Sequence, residues 1–131
     1  MDQKLQEIIK KSTFEVQDGV YIYVKVAKKP ESENHFMVAN DKDEITVVTR
    51  EENLKDLDLI ERNKENYKLI ALNVSVPFYA VGFLSAVSSA IAKAGMNILI
   101  VSTYSKDYIL VSEENFGKAI KTLKNLGFKN R

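Results

Sequence analysis

Between Tyr67 and Gly127 the apolar residues change their spacing in a fixed order, and that order constrains the fold more than any other property of the chain. Leu69-Ile70-Ala71-Leu72-Asn73-Val74-Ser75-Val76 is an apolar, β-branched run that closes on Pro77, which predicts a largely buried strand. Leu84, Val87, Ile91 and Ala94 then recur at helical spacing among small and polar residues, and Gly95 stands where a C-terminal cap belongs. Ile98 to Thr103 and Tyr108 to Val111 are rich in β-formers, and Tyr104-Ser105-Lys106-Asp107 between them supplies turn residues. A second helix places Phe116, Ala119, Ile120, Leu123 and Leu126 on one face and ends at Gly127, with Glu113 and Glu114 near its positive end. The predicted order is β-α-β-β-α, with Ile91, Leu99, Ile109 and Leu123 in the core.

The first half carries weaker signals. Leu5, Ile8 and Ile9 among Gln, Glu and Lys suggest a short amphipathic helix, and Val20 to Val26 is a strand by propensity, entered through an Asp18-Gly19 turn after Phe14-Glu15-Val16. Lys28 to Asn34 is polar, contains Pro30 and reads as an exposed loop. His35 to Ala39 and Glu44 to Val48 form a strand pair across Asn40-Asp41-Lys42-Asp43. Leu54, Leu57 and Ile60 predict a short helix over Glu51–Ile60, and Glu61 to Asn66 a link to the second half. The chain thus contains a degenerate internal repeat.

Composition closes off several functions. Lys plus Arg number 19 against 18 for Asp plus Glu, a formal charge of +1 that gives no electrostatic argument for nucleic acid or a membrane surface. There is no cysteine, hence no disulfide, thiolate metal site or Cys nucleophile. His35 is the single histidine, so no His-based metal set forms around it, and Asp41, Asp43 and Glu44 lack the central Gly and distal Glu of a calcium loop. Ser85, Ser88 and Ser89 have no local base, and the five glycines form no phosphate-binding motif. No catalytic residue, metal or cofactor is expected. With no apolar run near the roughly 20 residues of a spanning helix, we expect a cytoplasmic protein.

Gly82 at the turn into the first helix, Ala94-Gly95-Met96-Asn97-Ile98, and Ser102-Thr103-Tyr104 followed by Asp107-Tyr108-Ile109-Leu110-Val111 together carry a family resemblance. The segment resembles an ACT domain, the small ligand-binding regulatory module of amino-acid metabolism. In particular it is similar to the second half of two-lobed proteins that include the cytosolic arginine sensors of animals. Glu44-Ile45-Thr46-Val47-Val48 looks like the short Glu-x-Ser-x-Val strand of the first lobe, with Thr in place of Ser. The resemblance implies an α+β fold of two ferredoxin-like (βαββαβ) lobes side by side with antiparallel sheets, the first worn down. The lobes would be residues 1–62, including the N-terminal helix, and 63–131.

The implied function is non-catalytic: a free amino acid or similar small zwitterion binds between the lobes and alters association with a partner. The length leaves us expecting no fused enzyme, so regulation of one would act in trans, and a homodimer is expected to cover sheet surface left bare. Contacts implied by the resemblance come from Thr46 and Val47, from Phe78, Tyr79, Ala80, Val81, Gly82 and Phe83, and from Asn97, Ile98, Ser102, Thr103, Tyr104 and Asp107. Chemistry agrees in outline. A helix start offers backbone N–H groups to a carboxylate, Gly82 removes the Cβ from the approach, and Asp107 could meet an ammonium. Gly82 would equally ease a sharp turn, and Asp107 is also an ordinary turn residue. The alternative is an interaction module whose sheet serves only for oligomerisation, with no ligand.

Overall fold

The computed structural model describes residues 1–75 and 80–131. In order they form α1 (Gln3–Lys10), β1 (Thr13–Val16), β2 (Tyr21–Val26), β3 (Met37–Asn40), β4 (Ile45–Arg50), β5 (Leu59–Arg62), β6 (Tyr67–Asn73), α2 (Phe83–Lys93), β7 (Leu99–Ser102), β8 (Asp107–Ser112), α3 (Phe116–Leu126) and β9 (Lys129–Asn130). Single 3-10 helices lie at Glu51–Asp56 and Glu113–Asn115. The chain divides into two compact units: Met1–Gln17 with Leu69–Arg131, called here the split unit, and Asp18–Lys68, the inserted unit.

In the split unit the strands follow the order β7-β8-β6-β1-β9. The expected β-α-β-β-α is β6-α2-β7-β8-α3, and the place beside β6 is taken by β1 from the far end of the chain. β1 runs antiparallel to β6, with Thr13 opposite Asn73 and Val16 opposite Ile70. β9 then pairs with β1 in parallel, so the pairing is mixed where all-antiparallel was expected. The three helices bury one face each in a core of Leu5, Ile9, Phe14, Ile70, Leu72, Phe83, Val87, Ile91, Ile109, Val111, Leu123 and Phe128.

The expected division at residues 62 and 63 is therefore corrected. α1 is capped by Asp2, whose carboxylate accepts from the Lys4 amide at 2.9 Å, and it presents Leu5 and Ile9 one turn apart. Both side chains bury against the core of the split unit, each worth about 1.5–3 kcal/mol. Ser12 fixes the exit of the helix: its hydroxyl donates to the Ile8 carbonyl at 2.7 Å and accepts from the Ser75 amide at 3.0 Å. An amphipathic helix follows the apolar surface that accepts it, and here that surface belongs to residues distant in sequence.

Two further expectations change. The helix face of α2 is Phe83, Val87 and Ile91, at i, i+4 and i+8, and not the stripe beginning at Leu84, which is 38% exposed. Of the four expected core residues, Ile91, Ile109 and Leu123 are buried, while Leu99 is only half-buried. Both glycine stops form as read. Gly95 and Gly127 have φ of 82° and 119°, and each is followed by an amide, Met96 or Phe128, that reaches back to the carbonyl of Ile91 or Leu123.

The inserted unit has the strand order β3-β4-β2-β5. Ile22, Val24, Val26 and Val47 form its core, with Val38, Ile45, Leu54 and Leu57 packed on them. Where a first helix would lie, the chain makes the polar loop read from the sequence. The second helix is reduced to the 3-10 segment Glu51–Asp56, and Leu59–Arg62, expected to be helix end and linker, forms β5 on the edge of β2. β2 offers Leu59–Arg62 a ladder, and pairing there takes the place of a continued helix.

A candidate functional site at the start of α2

Within the split unit, a cavity of about 480 Å3 opens between the first turn of α2 and the tip of the β7–β8 hairpin. Gly82 caps the helix with φ 84°, a left-handed conformation that glycine adopts without strain, and among the described residues no side chain caps this end. The Phe83 amide bonds back to Ala80 and the Ala86 amide to Gly82, at 3.1 and 2.9 Å. Leu84 and Ser85 occupy the positions whose amides a helix leaves without an intrahelical acceptor. All four of Gly82, Phe83, Leu84 and Ser85 line the cavity. The helix start thus presents N–H groups and the positive end of its dipole to whatever enters.

The opposite wall is the hairpin from Ser102 to Asp107. Ser102 and Asp107 close the ladder as register partners, and the Ser102 hydroxyl donates to Asp107 Oδ1 at 2.5 Å. The Thr103 amide and hydroxyl both donate to the Lys106 carbonyl, at 2.8 and 3.2 Å, which holds the turn closed. Among the described residues, one anion, Asp107, and one cation, Lys106, therefore line a cavity that also contains apolar Val74, Ala80 and Leu84. Opposite charges in a partly enclosed space suit a zwitterion better than an ion of either sign.

The expected contact residues divide into groups. Ala80, Gly82, Phe83, Ser102, Thr103, Tyr104 and Asp107 come together at this cavity. The Phe83 ring itself turns inward, edge-on to Phe128 with centroids 5.8 Å apart. Val81 projects outward, 91% exposed, and does not line the cavity, nor do exposed Asn97 and half-buried Ile98, which packs on the core. Thr46 and Val47 lie on β4 of the inserted unit: Thr46 lines a shallow depression with Tyr23, Lys25, Glu44 and Glu61, and the Val47 side chain is wholly buried in that unit's core. Phe78 and Tyr79 lie outside the described residues. Val74, Leu84, Ser85, Ser105 and Lys106 line the cavity without having been expected to. Ser105 and Lys106 were legible as neighbours of Asp107 in a four-residue turn, but Leu84 was hidden by its apparent fit to the core stripe. Among the described residues, no group of three or more His, Asp and Glu could hold a metal ion, and no helix is long and apolar enough to cross a membrane.

Residues 64–125 match the family model of the ACT domain. That span holds the start of α2 and the whole β7–β8 hairpin. Among solved structures, a protein of unknown function from Vibrio cholerae is similar at 21% identity and a TM-score of 0.80, over 95% of this chain and 97% of that one. A protein from Agobacterium tumefaciens is similar at 17% identity and a TM-score of 0.73, with 92% of each chain covered. The ligand-free regulatory subunit of aspartate kinase from Thermus thermophilus is similar at 8% identity and a TM-score of 0.63, over 88% of this chain and 95% of that one. Curated proteins give no sequence match. The likeness is one of fold: α+β with mixed sheets, tandem ACT-like, resembling the aspartate kinase regulatory region.

Proposed function

We propose that this protein is a non-catalytic regulatory module that binds a free amino acid, or a similar small zwitterion, in the cavity at the start of α2. The observation that carries the reading is the meeting, in one cavity, of an uncapped helix N-terminus and a carboxylate held by a neighbouring hydroxyl. The first turn of α2 receives the ligand carboxylate through its amides, and Asp107 receives the ammonium. The match of residues 64–125 to the ACT domain and the similarity to an isolated regulatory subunit support a role in which occupancy is passed to a partner in trans. Thermal-shift screening against the twenty amino acids tests it. Binding to the folded state alone adds about 2.7 kcal/mol at a hundredfold excess over Kd, which raises the melting temperature measurably. A flat panel would overturn the reading.

One observation favours association as a further property. Among the described residues β7 pairs only with β8, and Ile100 on it is 39% exposed, so an edge of the split unit's sheet is open to a strand from a second copy. We therefore propose a homodimer. A single monomer mass by light scattering at every accessible concentration would remove this part, and a flat amino-acid panel together with a dimer would favour an interaction module without ligand.

A further inference from the structure

Resting on the reading above, we propose that the cavity selects a zwitterion with an aliphatic side chain, and that Leu84 is the residue that reads it. Leu84 is the anomaly of α2. Because Phe83 takes the core position with Val87 and Ile91, the next residue is rotated by about 100° around the helix and turned away from the core. A large apolar side chain is left 38% exposed, and it lines the cavity. Val74 and Ala80, both half-buried against the core, line the same cavity and extend this apolar wall.

Charge and the apolar wall together disfavour the charged competitors. Among the described residues Asp107 is the one carboxylate lining the cavity, and in the proposed binding mode it takes the ammonium. A lysine or arginine ligand would bring a second cation and find Lys106 in place of a second carboxylate. An aspartate or glutamate ligand has Lys106 to pair with, but its side chain would have to leave Leu84 and Val74 in water or lose its own hydration against them. An aliphatic side chain carries neither penalty, and each methylene it buries tightens binding roughly fourfold.

Titration calorimetry with L-leucine, L-alanine, L-aspartate and L-lysine, on the natural protein and on Leu84→Ala, tests the inference. Leu84 is partly exposed, so the variant folds, as a melting curve verifies. L-leucine should bind at least about tenfold more tightly than the other three. Leu84→Ala should weaken L-leucine roughly tenfold and L-alanine less than about twofold. Equal affinity for L-leucine and L-aspartate or L-lysine, or equal loss of L-leucine and L-alanine in the variant, overturns the selectivity while leaving amino-acid binding in place. Absence of binding by all four overturns the selectivity and counts against the proposed function as well.

Discussion

Ser102 and Asp107 face each other as the last register pair of the β7–β8 hairpin, and the serine hydroxyl donates to the aspartate at 2.5 Å. A carboxylate has about four acceptor sites, so this bond orients Asp107 without exhausting it. Asp107→Asn should weaken binding of L-leucine by about 1.5–3 kcal/mol, the range for a hydrogen bond to a charged group. Binding of 4-methylpentanoate, the same molecule without its amine, should change much less. Equal loss for both, by calorimetry, would mean that Asp107 supports the hairpin and does not meet the amine.

Gly82 holds φ 84° at the mouth of the cavity, and a Cβ added there would lie 3.6 Å from Leu5 Cδ2, an ordinary contact. The obstacle to substitution is therefore the backbone, not the neighbour. Gly82→Val should cost about 1–2 kcal/mol in stability and abolish ligand binding. Gly82→Asn, which tolerates the left-handed region, should cost less. Melting curves and calorimetry together check the pair, and unchanged affinity in the valine variant would place the carboxylate elsewhere.

Ile91 is 1% exposed beneath α2. Ile91→Ala should cost about 2–5 kcal/mol by lost burial plus a cavity, whereas Leu84→Ala should change stability by no more than about 0.5 kcal/mol. Urea unfolding distinguishes them. Similar costs would show that the buried face of the helix has been misassigned.

Thr49 is a fully buried polar residue of the inserted unit. Its hydroxyl donates to the Asn34 carbonyl at 3.3 Å, accepts from Asn53 Nδ2 at 2.9 Å, and meets His35 Nδ1 at 2.9 Å. Thr49→Val keeps the shape and removes the hub, so a loss of about 1–3 kcal/mol is expected from the partners left behind. A wild-type midpoint in urea would contradict it.

Tyr67 sets an alkaline limit. Burial first, then the charge of Glu65 and the nearness of Tyr23, push its phenol above the ordinary 10.0, against a smaller lowering by a hydrogen bond with Asn63. The unfolded chain ionises near the ordinary value and the folded one only higher. The contribution is thus fully present below about pH 10 and is lost as the pH climbs through the raised folded value. Thermal melts between about pH 8 and about pH 11 should show a decline that is shallower in Tyr67→Phe.

Legibility followed the physical origin of each element. The glycine stops at Gly95 and Gly127 are set by local backbone preference and formed where read, while the turn read at Tyr104–Asp107 formed one residue earlier, over Thr103–Lys106, with Asp107 in β8. The face of α2 was misread because Phe83 and Leu84 are both apolar. Tertiary partners such as Phe128 decide which of them turns inward, and with that choice went the apolar wall of the cavity. α1 was assigned to the wrong unit because an amphipathic stripe states that a partner exists and not which one. β5 was missed because Leu57 and Ile60 fit a helical spacing, while the ladder offered by β2 is a non-local contact.

The placement of β1 beside β6 has a consequence for the order of synthesis. The Gln17 amide bonds to the Leu69 carbonyl at 2.9 Å, so the two ends of the split unit's chain meet at the point where Asp18–Lys68 leaves and returns. On the ribosome, Phe14 emerges before its partner Leu72, which appears only after the whole inserted unit has been made. Asp18–Lys68 can thus collapse first, while the nascent chain carries an unpaired strand and an unburied amphipathic helix ahead of it. The partners of β1 and of α1 lie on segments translated only after Lys68.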